Sequence, residues 1–285
     1  MSDKLDKPLE ESILGLVRFY ENEANQAMCK TFVDQLRNQI ENAGSLRPLI
    51  HSLKTRIKEP SHLFDKLERK AIESLAAGTA FDIKEDNLFV RINDCPGLRI
   101  IHLHTKQIEE IDKALRDVLD YHRYRIEEGP IANIWDDDAE KYFKGLGFQI
   151  KRTPNMYTSV HYVVSWNARG ACTCEIQVRT LSEELWGEVD HAVRYPHDTT
   201  SVSCREQLKV LARLTSGVTR LVDVIFDSHQ VGESSNARDV IRVSIPEQER
   251  ASGQVEKRPS ERGVARVGKK LEPKSKKRRK GKVPG

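Results

Sequence analysis

Residues 172–180, CysThrCysGluIleGlnValArgThr, place one carboxylate in an apolar, alternating run that is typical of a buried strand. Strand side chains alternate between the two faces of a sheet, so the apolar residues at 174, 176 and 178 share one face. The opposite face carries Glu175, Gln177 and Arg179. An ionised carboxylate persists on a central strand only where a cation or a metal offsets its desolvation, which makes Glu175 a candidate site residue. A structural salt bridge with a nearby arginine is the alternative.

Two further clusters carry complementary charge. Arg56, Lys58 and Lys66 place cations at the end of a predicted strand and on the first turns of the following helix. This geometry suits a polyphosphate. Asp94 lies in AspCysProGlyLeuArg, where a tight turn would put its carboxylate at the start of a strand.

A fourth cluster, Tyr157 and His161 in TyrThrSerValHis, enters a predicted hairpin. Two carboxylates on neighbouring strands, opposed by several cations, form the arrangement that a phosphoryl-transfer enzyme needs, because the acids hold Mg²⁺ and the cations hold the phosphates. Each cluster alone is also explained by packing or by a solvated charged face. Their joint occurrence is more specific and predicts phosphoryl transfer.

Length and composition favour a water-soluble chain. The 285 residues suit one core of about 200 residues with appendages. No apolar run approaches 18 residues and the N-terminus is charged, so we expect a cytoplasmic protein that does not enter a membrane. The five cysteines are odd in number and lack paired CxxC spacing, which indicates packing residues in a reducing compartment.

Charge is divided unevenly along the chain. Residues 247–285 carry 14 Lys or Arg and 5 Asp or Glu, whereas residues 1–246 carry 33 and 38. The segment 231–285 is therefore predicted to be a disordered basic tail. Such a tail either binds a polyanion, of which RNA is the expected one here, or only solubilises the chain.

The elements that must position these residues follow from apolar spacing and turn signals. Helices are predicted over 9–42, 61–74 with a cap after Pro60, 107–121, 136–147, 181–191 ending before Pro196, and 208–225. Strands are predicted at 53–58, from the CysProGly turn to residue 103, at 160–166, and around Glu175, the last two forming a hairpin through 167–170. The pattern predicts an α/β or α+β fold with an N-terminal helical segment (1–44) and a central domain (45–230).

The last of these helices has a single apolar seam. Its members are Leu208, Leu211, Leu214, Val218, Leu221 and Ile225. Their three- and four-residue spacing places them along one side of the helix. We expect the seam to pack in the core, with a homo-oligomer interface as the alternative.

With these motifs the chain resembles the synthetase domain of the RelA/SpoT family, in its small single-domain type. The resemblance covers about residues 45–228. It lies in ArgIleLys at 56–58 with Lys66 eight residues later, AspCysProGlyLeuArgIle from Asp94, TyrThrSerValHisTyr from Tyr157, and GluIleGlnValArgThr from Glu175 followed by LeuTrpGlyGluValAspHis and Tyr195. It implies a nucleotidyltransferase-type mixed sheet flanked by helices.

The resemblance also implies a reaction, the transfer of pyrophosphate from ATP to the 3′ hydroxyl of GDP or GTP, which makes (p)ppGpp. Asp94 and Glu175 would bind Mg²⁺, and Glu175 would also accept the proton of the attacking hydroxyl. The ATP phosphates would be gripped by Arg56, Lys58 and Lys66. The acceptor would be bound by Tyr157, stacking on guanine, and by His161 and Gln177.

The resemblance leaves two alternatives for the acceptor. The family's usual GlyTyrArg before the histidine is MetTyrThr here, so Met156 and Thr158 stand in the acceptor loop. Some toxic members of the group pyrophosphorylate the 3′ CCA end of tRNA, and the basic tail would suit that substrate. A third alternative is an inactive domain that binds RNA or a protein partner. We expect synthesis without hydrolysis, since the sequence shows no His-Asp hydrolase domain before the synthetase region.

Overall fold

The computed structural model describes residues 6–166, 172–194 and 200–243 of the chain, the last twelve of them as backbone only. The predicted hairpin turn at 167–170, Tyr195, Pro196 and the tail beyond 243 lie outside the described residues. The chain divides into two units, Met1–Ser234 and Ser235–Gly285, and the first contains the whole sheet. Among the described residues, no helix is both long and apolar enough to cross a membrane.

The fold is a six-stranded mixed sheet flanked by helices, as predicted. The strands are β1 (Ser52–Ile57), β2 (Pro96–His102), β3 (Tyr124–Ile134), β4 (Gln149–Arg152), β5 (Ser159–Trp166) and β6 (Thr173–Thr180). The helices are α1 (Lys7–Glu21), α2 (Glu23–Glu41), α3 (Pro60–Ala76), α4 (Leu88–Arg91), α5 (Gln107–Tyr121), α6 (Asp137–Gly145), α7 (Leu181–Arg194) and α8 (Val202–Val243).

The order of the strands in the sheet is β1-β2-β6-β5-β3-β4. The β2–β6 and β3–β4 pairs are parallel, and the other neighbours are antiparallel. The two central strands, β6 and β5, pair as the antiparallel neighbours that the hairpin prediction required. Cys174, Ile176 and Val178 of β6 are buried in the main core, so Glu175, Gln177 and Arg179 lie on the opposite face. The alternation predicted for this strand is confirmed.

The N-terminal segment is two helices rather than the continuous one that the spacing over 9–42 predicted. Asn22 has an extended backbone that ends α1, and its side-chain oxygen accepts a hydrogen bond of 3.0 Å from the amide of Ala24. This is the cap of a new helix. Apolar periodicity continues across the break because both helices pack against the same core.

Two strands were not predicted, β3 and β4. In β3, Gly129 and Pro130 interrupt the alternation, and the register with β5 shifts between Ile126 and Ile131. Gly129 has φ +103°, and a Cβ there would lie 2.4 Å from the carbonyl oxygen of His161, so the close approach of β5 requires glycine. The bulge that shapes this strand thus removes its sequence signal.

Helix boundaries differ at two places. Helix α3 begins with Pro60 as its first residue after Glu59, so the predicted cap after Pro60 is wrong. Helix α8 continues to Val243. Its predicted apolar seam ends at Ile225, and the sequence predicted disorder from about Val231. The seam itself is mostly exposed. Leu208 is 6% exposed, but Leu214 is 62% and Leu221 is 60% exposed, which corrects the expectation of a core seam.

Candidate active site

Asp94 and Glu175 lie at adjacent strands of the sheet. Asp94 lies two residues before β2, and Gly97 of β2 is the register partner of Glu175 on the parallel strand β6. The alternation that placed Glu175 is confirmed, whereas the predicted CysProGly turn is displaced: the turn lies at Asn93 and Asp94, and Pro96 and Gly97 already belong to β2. The two charges are close enough that Asp94 opposes the ionisation of Glu175.

Asp94 is the centre of a cluster of cations. Its Oδ1 lies 2.7 Å from Nζ of Lys66, and its Oδ2 lies 2.8 Å from Nζ of Lys58 and 3.5 Å from Nη2 of Arg56. Burial opposes the charge of Asp94, but Lys66 and Lys58 more than offset it and hold the pKa of this carboxyl well below its usual range. The three cations that the sequence proposed as phosphate ligands thus converge, and here they contact a carboxylate.

Glu175 is stabilised in a different way. Its Oε1 lies 3.2 Å from Nδ1 of His161, and Nε2 of Gln177 donates a hydrogen bond of 2.7 Å to its Oε2. Burial raises the pKa of Glu175, yet the His161 contact outweighs it and the pKa falls to about 2. Among the described residues its ion-pair partner is a histidine, which differs from the structural arginine bridge considered from the sequence.

A hydrogen-bonded chain runs outward from Glu175 to the acceptor loop. Nε2 of His161 lies 3.1 Å from the hydroxyl of Tyr157, which accepts a hydrogen bond of 2.8 Å from the hydroxyl of Ser159. If the tyrosine donates to Nε2, the proton of the neutral imidazole is on Nδ1 and faces Glu175. The chain fixes the ring of His161 between the carboxylate and Tyr157. The sequence predicted the proximity of these residues but not the chain.

Two cavities open on this face of the sheet. One, the β1 cavity, has a volume of about 300 Å³ and is lined by residues that include Arg56, Lys58 and His62. The other, the Tyr157 cavity, has a volume of about 250 Å³ and is lined by residues that include Tyr157 and Gln177. Arg99 and His191 line both cavities. The face can therefore hold two ligands side by side, with these two side chains between them.

Several arginines of the site are not among the residues predicted to act in it. Arg99 contacts Glu184 and Glu188 of α7 while lining both cavities. Arg179 pairs with Glu184, and its guanidinium carbon lies 5.9 Å from the centre of the Tyr157 ring. Strand alternation in the sequence already places Arg179 on the same face of β6 as Glu175. Arg99 lies opposite Gln177 in the β2–β6 register, which puts it on that face as well.

A glycine makes room for Arg179. A Cβ on Gly187 of α7 would lie 2.6 Å from Nη1 of Arg179. Any larger residue at this position would displace the guanidinium from the wall of the Tyr157 cavity. Gly187 is thus a packing requirement of the site rather than a flexible point in the helix.

The carboxylates suit one kind of metal. The described residues contain no group of three or more His, Cys, Asp or Glu side chains that could hold a metal ion. Mg²⁺ is commonly bound by one or two carboxylates, with water and substrate phosphates completing its shell. Asp94 and Glu175 fit such a partial site, because both are ionised at neutral pH.

Comparison with known proteins is consistent with this geometry. A family profile described as "Region found in RelA / SpoT proteins" matches residues 55–200. No curated protein matches the chain. Among solved structures, small alarmone synthetase 1 from Bacillus subtilis bound to AMPCPP aligns with a TM-score of 0.50 and 15% identity, over 71% of this chain and 94% of its own. Small alarmone synthetase 2 from Bacillus subtilis aligns with a TM-score of 0.50 and 19% identity, over 72% and 98%.

These structural likenesses show a shared fold, at identities too low to transfer residue roles. The family profile spans just over half of the chain and includes the end of β1, α3, the Asp94 turn and β6, which carry the cations and both carboxylates. The chain belongs to the RelA/SpoT family.

Proposed function

We propose that this protein transfers a pyrophosphoryl group from ATP to the 3′ hydroxyl of GDP or GTP and so makes (p)ppGpp. The observation that carries the proposal is the pair of adjacent cavities that share Arg99 and His191. One is lined by Arg56 and Lys58, which contact Asp94, and the other by Gln177, which contacts Glu175. A group transfer between two nucleotides needs two anion-binding cavities that meet at the reacting atoms.

The β1 cavity suits the donor. Arg56 and Lys58 line it, and Lys66 lies behind them on Asp94. The carboxylate of Asp94 holds these cations in place before a substrate arrives. Donor phosphates would then find cations already oriented, which lowers the entropic cost of binding.

The Tyr157 cavity suits the acceptor. Three arginines, Arg99, Arg179 and Arg194, line it together with an aromatic ring and the amide of Gln177. A nucleotide offers phosphates to the guanidinium groups and a base to the ring. Stacking of the acceptor base on Tyr157 would place the ribose toward His161.

In the reaction, the acceptor 3′ oxygen forms a bond to the β-phosphorus of ATP, and the bond from that phosphorus to the α–β bridging oxygen breaks, releasing AMP. The hydroxyl proton passes to Glu175, which is ionised and therefore able to receive it. Asp94 and Glu175 would hold Mg²⁺, whose charge offsets that of the transferring phosphates. The cations of β1 and α3 fix the donor in line with the attacking oxygen, so the protein contributes positioning and charge.

A second acceptor, the 3′ CCA end of tRNA, is favoured by a separate observation. Residues 247–285 carry 14 Lys or Arg against 5 Asp or Glu, a balance suited to a nucleic-acid backbone. The chemistry at Asp94 and Glu175 would be the same for either acceptor.

One experiment separates these functions. The purified protein is incubated with ATP labelled in its β-phosphate and with GDP, GTP or bulk tRNA, and the products are separated by chromatography. We expect labelled guanosine tetra- or pentaphosphate. Labelled tRNA with unlabelled guanosine nucleotides would establish the second acceptor instead, and an absence of transfer to all three would contradict the proposal.

A further inference from the structure

A third cavity adjoins the Tyr157 cavity. It has a volume of about 240 Å³ and is enclosed by α6, α7, α8 and the loop that precedes β5. Aromatic side chains form much of its wall: Trp135, Tyr142, Phe143 and Trp186. Small-molecule sites are typically concave, largely apolar and supplied with a few oriented polar groups. A single ring system fits within this volume.

The polar groups of this cavity offer acceptors more than donors. The hydroxyl of Thr215 donates to the carbonyls of Leu211 and Ala212, and the hydroxyl of Thr219 donates to the carbonyl of Thr215. These hydroxyl protons are used within α8, so their oxygens can still accept. Glu183 adds a carboxyl group at the wall, of which one oxygen accepts from the amide of Thr180. A ligand that donates hydrogen bonds is complementary to this set.

The charge of the wall is acidic. The charged side chains that line the cavity are the acids Asp136, Asp138 and Asp223 and the bases Lys106 and Arg220, and Glu183 adds a carboxyl group whose pKa burial raises to about 7. Arg220 is paired with both Asp136 and Asp138, at 3.0 and 3.2 Å, so its charge is already neutralised. A phosphate or carboxylate ligand would meet this surface with unfavourable charge, whereas a neutral or cationic one would not.

The cavity shares walls with the proposed acceptor cavity. Met156 and Thr158 line this cavity, and Tyr157 between them lines the other. Trp186 lines both, with its ring centre 6.3 Å from that of Tyr157. Met156 has φ +62°, a left-handed conformation that costs a non-glycine residue free energy. A ligand on Met156 would therefore act on the backbone that carries Tyr157.

We propose that this cavity, bounded by α6, α7, α8 and residues 156–158, binds a small planar aromatic molecule that is neutral or cationic and donates hydrogen bonds, and that its occupancy changes how the loop presents Tyr157 to the acceptor. The binding itself stands on the shape, the polar groups and the charge of the wall. The effect on the acceptor rests on the proposed function.

Binding is tested with three probes of one shape, benzamidine (cationic), benzamide (neutral) and benzoate (anionic). Two of the three tryptophans of the chain, Trp135 and Trp186, line the cavity, so intrinsic fluorescence reports occupancy and calorimetry gives the dissociation constants. We expect benzamidine and benzamide to bind and benzoate to bind at least about tenfold more weakly, because it carries like charge and lacks a donor.

A matched pair of variants locates the site. Ser216→Phe adds a ring inside the cavity from α8, and Ser228→Phe makes the same change at an exposed position of the same helix that does not line the cavity. We expect Ser216→Phe to weaken benzamidine binding at least about tenfold and Ser228→Phe to leave it unchanged, with both variants folded by circular dichroism. Equal binding by the two variants, equal affinity for benzoate, or no binding of any probe would overturn the proposed site.

The effect on the acceptor is read separately. Saturating benzamidine should change the KM for GDP by at least about threefold without changing the KM for ATP, and Ser216→Phe should abolish that response. Binding without such a change would overturn the coupling to the acceptor loop. A protein that binds the probe but transfers nothing from ATP would contradict the proposed function while leaving the proposed site in place.

Discussion

The carboxylate of Glu175 is ionised although most of its surroundings are protein, because His161 and Gln177 both approach it with nitrogen atoms. One imidazole and one amide thereby accomplish for Glu175 what two lysines and an arginine accomplish for Asp94. Asp94, by contrast, is already compensated by Lys58 and Lys66.

Replacing Glu175 with glutamine should abolish transfer while leaving the fold intact. The substitution conserves volume but removes the negative charge that would bind metal and accept the proton, so a loss of about a hundredfold or more in kcat is expected. The matched control is Glu127→Gln on β3, which removes a carboxylate that is bound to Ser165 and does not line the described cavities. Activity of Glu175→Gln within a few-fold of the wild type would contradict its role.

Glu183 gives a pH dependence of stability with a definite sign. Burial raises the pKa of Glu183 from 4.5 to about 7. Below pH 4.5 the folded and unfolded states are both protonated, and between 4.5 and about 7 only the folded state keeps the proton. The stabilising contribution of this proton is therefore lost as the pH rises through that window, by about 3 kcal/mol at most.

Glu183→Gln should remove this dependence and keep the acceptor for the amide of Thr180. Urea unfolding at a series of pH values would show the variant gaining on the wild type from pH 4.5 to about 7. The lowered pKa of Asp94 lies below this window, so its titration does not interfere. A constant difference between the two proteins across the window would contradict the raised pKa.

At the scale of elements, the predicted apolar seam of helix α8 is buried at Leu208 and exposed from Leu214 onward. Leu208 is 6% exposed, and its carbonyl accepts a hydrogen bond of 3.1 Å from the indole of Trp186. Leu221, nearer the end of the predicted seam, is 60% exposed. Although a sequence pattern treats these leucines alike, their contributions to stability should differ.

Leu208→Ala should lower the free energy of unfolding by about 2 to 4 kcal/mol, because it leaves a cavity in a packed site. Leu221→Ala should cost less than about 1 kcal/mol, because it removes little buried surface. Both are the same chemical change in one helix, so each is the control for the other in denaturant unfolding. Equal losses would mean that Leu221 is buried by a contact outside the described residues.

The elements that were predictable from sequence are those whose signals are local. The strand around Glu175 follows from alternation, α5 from its periodic apolar face, and β2 from the apolar run that continues to residue 103. The elements that were missed depend on distant partners. Bulged β3 is shaped by the approach of β5 at Gly129, and the exposure of Leu221 depends on what lies opposite the helix.

The same distinction applies to the site. Local motifs predicted the positions of Arg56, Lys58 and Asp94 near strand ends and of Glu175 on the polar face of β6. The roles of Arg99 and Arg179 were not identified, because they follow from contacts with Glu184, a residue far along the chain from Arg99. Sequence spacing indicates which face a residue occupies but not which long-range neighbour it contacts.

At the scale of the whole molecule, charge is segregated along the chain. Residues 1–246 carry 33 basic and 38 acidic side chains, whereas 247–285 carry 14 and 5. If the acceptor is GDP or GTP, truncation after residue 245 should leave kcat/KM within a few-fold at every ionic strength. If it is tRNA, truncation should reduce modification most at low ionic strength, where phosphate contacts are strongest. Loss of nucleotide transfer on truncation would assign the tail a direct role in catalysis.

Arg99 and His191 line both the β1 cavity and the Tyr157 cavity, and this sharing has a thermodynamic consequence. If ATP and GDP occupy the two cavities, Arg99, which already contacts Glu184 and Glu188, offers one positive charge to two polyanions and cannot compensate both as well as either one. By linkage, whatever factor the donor imposes on the affinity for the acceptor, the acceptor imposes on the affinity for the donor. Calorimetry of Glu175→Gln with ATP and GDP, alone and together, should show both dissociation constants rising by one common factor. Unchanged constants would mean that the cavities are energetically separate.

This reciprocity would apply equally after the reaction. AMP in one cavity and the newly lengthened polyphosphate in the other would still compete for Arg99, and each would weaken the hold on its neighbour. When the first product leaves, the guanidinium of Arg99 would attract the remaining product with its full charge. Turnover in such an arrangement would be paced by the second departure, and product inhibition would be strongest from whichever nucleotide leaves last.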